Sequence, residues 1–163
     1  MSRRHPKDLI LPQLAVTDAA ARGKSVAHSA DGRAVLIDGA VPGDVVDVQV
    51  TKKTSRYYEG RALNFLELSD KRTLPPCPHF GICGGCRWQN MQYRWQLYYK
   101  QNEVENNLRR IGGLELPETA PILGCENEYY YRNKLEFSFS DRRWYTREEL
   151  DALGEINDYE PAL

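Results

Sequence analysis

Residues 77–86, Cys-Pro-His-Phe-Gly-Ile-Cys-Gly-Gly-Cys, set three thiols, an imidazole and three glycines in one short stretch. The spacing Cys77-x5-Cys83-x2-Cys86 can serve three chemistries. Cys83 and Cys86 ahead of a helical stretch fit a redox dithiol, because the partial positive charge of a helix N-terminus favours thiolate. A thioredoxin-like pair, however, comes off a strand of a βαβ unit, and here a proline-bearing run precedes it. His79 with Cys77, Cys83 and Cys86 makes a Cys3His zinc set, although Cys77 and His79 stand only two apart and structural zinc sites usually combine two separated pairs. Soft thiolates with flanking glycines, which let backbone N–H groups approach sulfur, fit an iron-sulfur cluster that draws its fourth ligand from farther away. Cys125 is the remaining cysteine, expected as a small buried side chain.

Charge and hydropathy bound the setting of these thiols. Lys and Arg number 22 against 23 Asp and Glu in 163 residues, a formal net charge of −1, which argues against a uniformly basic nucleic-acid binder and directs the search to local patches. Apolar residues at 41% and charged ones at 28% suit a folded, water-soluble body. No apolar run reaches the ~18 residues of a membrane span, and Leu9–Leu11 is too short for a signal-peptide core. The chain is therefore expected in the cytoplasm with no membrane partner, where cysteines are metal ligands or redox thiols more often than disulfides.

The elements that must position the thiols read as α+β. Lys24-Ser-Val-Ala-His-Ser29, then Ala-Asp-Gly, then Arg33-Ala-Val-Leu-Ile-Asp38 predicts a hairpin turned at Asp31-Gly32. Val46, Val48 and Val50 alternate with Asp47 and Gln49 as a half-buried strand. Residues 57–68 supply another strand, with Gly60 marking a bulge or bend. Several short strands without a helical period predict a small antiparallel β barrel of the oligonucleotide-binding type at about 9–68. Between two of its strands, Lys52, Lys53, Arg56 and Arg61 stand against the single Glu59 and interleave with Tyr57 and Tyr58. Cations beside rings are what single-stranded nucleic-acid surfaces use; the competing reading is a solvated hairpin tip whose tyrosines cover the barrel.

Residues 69–76, with two prolines after a polar run, read as a linker. The cysteine segment and one long helix follow at 77–113: Trp88, Met91, Trp95 and Tyr98 form an apolar row, Leu97, Val104, Leu108 and Ile111 extend it, and Gly112-Gly113 stops it. Residues 114–163 open a β-containing central domain. There Tyr131, Asn133, Leu135, Phe137 and Phe139 alternate with Arg132, Lys134, Glu136 and Ser138 as a half-buried strand. Thr146-x-x-Glu149 is a capping box opening a short helix that Gly154 can end.

The cysteine segment through Arg87-Trp88-Gln89, set after a small barrel and before a long helix and the Tyr-Arg-Asn-Lys strand at 131–134, resembles the N-terminal part of one enzyme family. It is similar to the bacterial RNA uracil-5-methyltransferases that carry a TRAM domain and a 4Fe-4S cluster. The resemblance covers nearly the whole chain. It implies Cys77, Cys83 and Cys86 as cluster ligands, with the fourth beyond Leu163, because the family's fourth ligand follows the strand that Cys125 precedes. Family members continue into a Rossmann-like domain that binds S-adenosylmethionine and bring a nucleophilic cysteine and a general-base carboxylate. None of those motifs occurs here, so the chain is expected to be a fragment with no catalytic and no S-adenosylmethionine-binding residue.

In the complete enzyme a thiolate would add to C6 of a uracil, C5 would take the methyl group, and a base would remove the C5 proton. Such chemistry needs the base out of its stack and a platform for the refolded RNA. The resemblance makes this chain that platform, with Lys52, Lys53, Arg56 and Arg61 on the backbone, Tyr57 or Tyr58 on a base, and Arg132 and Lys134 facing RNA. The RNA would be rRNA foremost, with tRNA as the alternative, and the chain a monomer. Methyl transfer moves no net electrons, so the cluster's expected role is structural. A free-standing RNA-binding module, a zinc module and a thiol oxidoreductase are the readings of other classes.

Overall fold

The computed structural model describes residues 9–134 together with 136, 139–141, 143, 145, 146, 149, 150 and 152. They fall into two units divided between Gly124 and Cys125. The first unit holds β1 (Ile10–Ala15), β2 (Asp18–Ala20), β3 (Lys24–His28), β4 (Ala34–Asp38), β5 (Val45–Lys53), β6 (Tyr57–Glu67) and α1 (Tyr93–Asn106). The strands make one sheet in the order β1-β5-β6-β4-β3-β2. Its pairings are antiparallel except β4 with β6.

The edge strands β1 and β2 are consecutive in the chain, parted only by Val16 and Thr17. Val16 N–H donates to Asp44 O on one side (2.9 Å) and Thr17 N–H to Val26 O on the other (2.8 Å). The sheet must therefore curl until its two edges meet through this bend. No ladder joins β1 to β2, so the architecture is an open curled sheet rather than the closed barrel expected from the strand pattern. One bent segment serves both edges, and a strand cannot pair with its own continuation.

Curling encloses a core. Val46, Val48 and Val50 of β5 are fully buried, as their alternation requires, with Val35, Ile37, Ala27, Leu14, Val16, Ala40 and Tyr58 around them. Burying each such aliphatic side chain stabilises the fold by about 1.5–3 kcal/mol. Ser25 points into the same interior and meets its polar requirement by donating its hydroxyl to Ala40 O at 2.7 Å. Gly60 lies where β5 and β6 slip register between Val50 and Lys52. A Cβ there would stand 2.5 Å from both Gln49 O and Val48 Cγ1, so the strands approach too closely for a side chain.

The helix is shorter than the apolar pattern suggested. It begins at Tyr93, and Trp88 and Met91 belong to a turn before it, with Met91 N–H bonded to Trp88 O at 3.0 Å. Gln96 Nε2 donates to Trp88 O and Met91 O (3.0 and 2.8 Å), replacing with a side chain the partners that an extra helical turn would give those carbonyls. A second apolar cluster joins Val41, Met91 and Tyr99 with Ala19, Trp88 and Trp95 packed on it. Val104, Leu108 and Ile111 are exposed, contrary to the expected stripe. A single π turn, Asn107–Ile111, carries the helix to Gly112 and Gly113, and Gly113 takes the left-handed φ of +64° that ends it.

The stretch expected as a linker is pinned at its start. Ser69 N–H donates to Asp44 Oδ1 (2.9 Å), and a bridge pairs Arg72 with Met91. Thr73 N–H bonds to Asn90 O (3.0 Å) and Gln92 N–H to Lys71 O (2.9 Å), so residues 73–90 form a loop closed at its neck.

In the second unit the described residues 131–134 are not in a strand, and Tyr131 and Phe139 are exposed at 70% and 95%. The alternating pattern had promised a half-buried strand, and the described residues of that stretch form none. Leu135, Phe137, Ser138 and Gly154 lie outside the described residues. The capping box is present as read: Thr146 N–H donates to Glu149 Oε2 (2.7 Å) and Glu149 N–H to Thr146 Oγ1 (3.2 Å). Cys125 is exposed, not buried as expected of a lone cysteine, its thiol donating to Asn127 O at 3.2 Å. Among the described residues no helix is long and apolar enough to cross a membrane.

Candidate nucleic-acid interface and cysteine loop

The β5–β6 connection is short and tightly built. Thr54 N–H and hydroxyl both donate to Tyr57 O (3.0 and 2.7 Å), and Thr54 Oγ1 accepts from the N–H of Tyr57 (2.9 Å) and of Arg56 (3.3 Å). This turn projects Lys52, Lys53 and Arg56 outward, all exposed. Alternation along β6 then separates its aromatics. Tyr57 lies half-buried on the outer side with the Lys52 ammonium 6.0 Å from its ring centroid. Tyr58 is only 4% exposed and packs in the core. Its hydroxyl donates to Asp31 Oδ2 (3.0 Å) and accepts from the Arg33 guanidinium, which also lies 4.2 Å over the ring. Arg33 Nη1 reaches Thr54 O at 3.2 Å as well, so Tyr58 and Arg33 brace the tip from beneath. A base can stack on Tyr57; Tyr58 is a strut.

Electrostatics grade the cations. Glu59 sits between Lys24 (2.8 Å) and Lys52 (3.2 Å), and the hydrogen bond from Lys24, then that from Lys52, hold its carboxyl below the usual range. Partial burial opposes the charge on Lys24, but Glu59 and Asp38 outweigh it and raise its pKa. The bond to Glu59 likewise raises Lys52. Lys53, Arg56 and Arg61 have no carboxylate partner among the described residues; Arg61 Nε donates to Gln49 Oε1 at 2.9 Å. Three cations thus meet an incoming anion without a competing carboxylate among the described residues, whereas Lys52 shares Glu59. Arg132 and Lys134 belong to the second unit, both exposed, with Lys134 paired to Glu136 at 3.0 Å.

The cysteine loop is fixed to the sheet through residues that have no obvious sequence signature. Asp44, fully buried, accepts from Val41 N–H (2.6 Å), Ser69 N–H (2.9 Å), Arg72 Nε (2.8 Å) and Arg72 Nη2 (2.7 Å). Asn90 Nδ2 donates to Gly39 O (3.3 Å), and Arg87 Nη1 stands 3.6 Å from Asp38. Gly23, at φ +70°, makes the closest approach: a Cβ there would fall 2.5 Å from Arg87 Cβ.

Within the loop the backbone turns on His79, whose carbonyl accepts from the N–H of Ile82 and of Cys83 (3.1 and 3.2 Å), and on Gly81 and Gly84, both at left-handed φ. Cys83 and Cys86 are exposed, Cys77 is half-buried, and none is in a disulfide. Among the described residues no three His, Cys, Asp or Glu side chains converge as metal ligands. The three thiols share one closed loop, and Gln89 Nε2 donates to Cys86 Sγ at 3.0 Å.

Residues 14–63 match the TRAM domain. The chain is 51% identical over 131 residues to a protein of Bacteroides thetaiotaomicron named an uncharacterised RNA methyltransferase, covering 80% of this chain and 29% of that protein. Proteins of the same name from Chlorobaculum tepidum and Porphyromonas gingivalis are 42% and 40% identical, covering 86% and 91% of this chain and 29% and 31% of their own lengths. The chain thus spans about three-tenths of the length of these curated relatives. Its curled sheet with the cationic β5–β6 tip lies within the TRAM match, and its relatives share one printed activity; the chain belongs to a TRAM-containing RNA methyltransferase family.

Proposed function

We propose that the chain is the RNA-gripping, cluster-bearing portion of a cytoplasmic, S-adenosylmethionine-dependent uracil-5-methyltransferase acting on rRNA. The observation that carries this reading is the exposed cationic tip with Tyr57 on a TRAM domain to which the three-thiol loop is clamped. Lys53, Arg56 and Arg61, with Lys52 behind them, engage phosphates and fix register without reading sequence. Tyr57 offers a ring to an unstacked base. Cys77, Cys83 and Cys86 would hold the 4Fe-4S cluster, with a fourth donor from outside this set. Bound there, the cluster would cross-link the loop, supplying rigidity to a reaction that moves no net electrons.

The tyrosines divide stability from binding. Tyr58→Ala is expected to cost about 3–5 kcal/mol of fold stability, as for other large-to-small core changes. Tyr57→Ala is expected to leave the melting temperature nearly unchanged and to weaken single-stranded RNA binding by about 1–3 kcal/mol. Thermal melts and RNA titrations of both variants check the division; equal effects on both readouts would contradict it.

Metal occupancy tests the other half. The chain reconstituted without oxygen, with iron, sulfide and dithiothreitol as an exogenous thiol, is expected to show the broad thiolate-to-iron absorbance and about four irons per chain. Cys83→Ser is expected to lose most of both. Full absorbance in Cys83→Ser, or zinc in place of iron in the protein as purified anaerobically, would overturn the assignment.

A further inference from the structure

We propose that His28, Ala34 and Tyr57 form a slot for one unstacked base of single-stranded RNA, the two rings flanking the base and Ala34 leaving it room. This rests on the RNA-gripping reading above. The three residues lie in one row across β3, β4 and β6: His28 is in register with Ala34, and Ala34 with Tyr57. Their chain neighbours fix the face. Ala27, Val35 and Tyr58 point into the core, so alternation turns His28, Ala34 and Tyr57 outward. His28 is exposed, and Ala34 and Tyr57 are half-buried. Adjacent strands lie about 4.7–4.9 Å apart, which sets the backbones of His28 and Tyr57 about 9–10 Å from each other. A base in contact on both faces needs about 7–8 Å between its flanking rings. Side chains rooted two strands apart can frame that gap by a small lean. A large residue at position 34 would occupy it; alanine leaves it open.

The surroundings suit a nucleotide. In the next row Val26 pairs with Leu36, both half-buried on the same face, and they extend an apolar floor beside the slot. Cations rim that floor: Lys52 stands 6.0 Å from the Tyr57 ring, with Arg61 and Lys24 farther along β6 and β3. The nearby carboxylates are engaged, Glu59 by Lys24 and Lys52, Asp38 by Lys24 (3.4 Å) and Arg87 (3.6 Å), and Asp31 by Arg33. Among the described residues no other side chain pairs with the His28 imidazole, which leaves its ring to a ligand. Rings over an apolar floor with a cationic rim are what single-stranded nucleic acid binds, and the slot continues the β5–β6 tip because Tyr57 belongs to both. Every base has a π-face, so the slot is expected to be tolerant of sequence.

The probe is a single-stranded oligoribonucleotide abasic at every position but one, which carries 2-aminopurine, a base whose fluorescence falls on stacking. With only one base to place, both rings act on it only if they share a slot. His28→Ala is expected to weaken binding of this probe about tenfold, within the range of one base–ring stack, and to relieve the quenching. Tyr57→Ala is expected to do the same. His28→Phe keeps a ring and is expected to bind and quench as wild type. Ala34→Ile, a residue suited to a strand, is expected to fill the slot and match His28→Ala. Should Ala34→Ile fail to fold, the two His28 variants carry the comparison. Wild-type binding in His28→Ala, loss of binding in His28→Phe, or a wild type that binds an rRNA fragment without quenching the probe overturns the slot alone. A wild type that binds neither RNA overturns the RNA-gripping reading with it.

Discussion

Replacing Lys52, Lys53, Arg56 and Arg61 together by glutamine is expected to make the log–log salt dependence of RNA binding shallower by about 3. Each phosphate neutralised releases condensed counterions worth about 0.7–0.9 of slope. The four are not equal. Lys52 shares Glu59 with Lys24, whereas Lys53, Arg56 and Arg61 face no carboxylate among the described residues. Single variants should therefore rank Lys52→Gln below Lys53→Gln and Arg56→Gln in lost affinity. The melting temperature of the quadruple variant should barely move, because exposed ion pairs contribute only about 0–1 kcal/mol. Anisotropy titrations of a structured rRNA fragment across salt concentrations give the slope. An unchanged slope would return the tip to a merely solvated turn.

Asp44→Ala is expected to cost about 3–5 kcal/mol, the loss usual when one member of a buried ion pair is removed. Total stability of a domain is only about 5–15 kcal/mol, so the effect is large. The change strands the Arg72 guanidinium and leaves Val41 N–H and Ser69 N–H without their acceptor. It also releases the neck of the cysteine loop, since Arg72 pairs with Met91 there. Asp44→Asn keeps the volume and one acceptor oxygen and should fall between alanine and wild type. Urea unfolding measures the cost, and limited proteolysis should find new cleavage within 69–92. A variant with wild-type stability and an uncleaved neck would contradict the clamp.

Much of this was legible in the sequence because it depends on local rules. The valines of β5 fixed their own phase, Gly60 marked the bulge between β5 and β6, Gly32 at φ +81° turned the β3–β4 hairpin, and Thr146 with Glu149 closed a capping box. What escaped was decided at a distance. Asp44 reads as one polar residue in a loop, yet it meets Arg72 across 28 positions. The start of α1 was misplaced because Trp88 and Met91 keep a helical spacing while packing from a turn, with Gln96 supplying the missing partners. Tyr57 and Tyr58 look alike in sequence, and only the phase of β6 distinguishes a stacking ring from a strut. Lys24 joined the cationic face because β3 and β6 flank β4, a parallel neighbour relation that no hairpin signal announces.

The most direct measurement is photo-cross-linking of the chain to rRNA carrying photoreactive uridines, with the joined peptides identified by mass spectrometry. If the β5–β6 side of the TRAM domain grips RNA, cross-links will concentrate within residues 52–61, with Tyr57 modified and Tyr58 spared. Cross-links absent from that stretch, at RNA concentrations where binding is complete, would contradict the account.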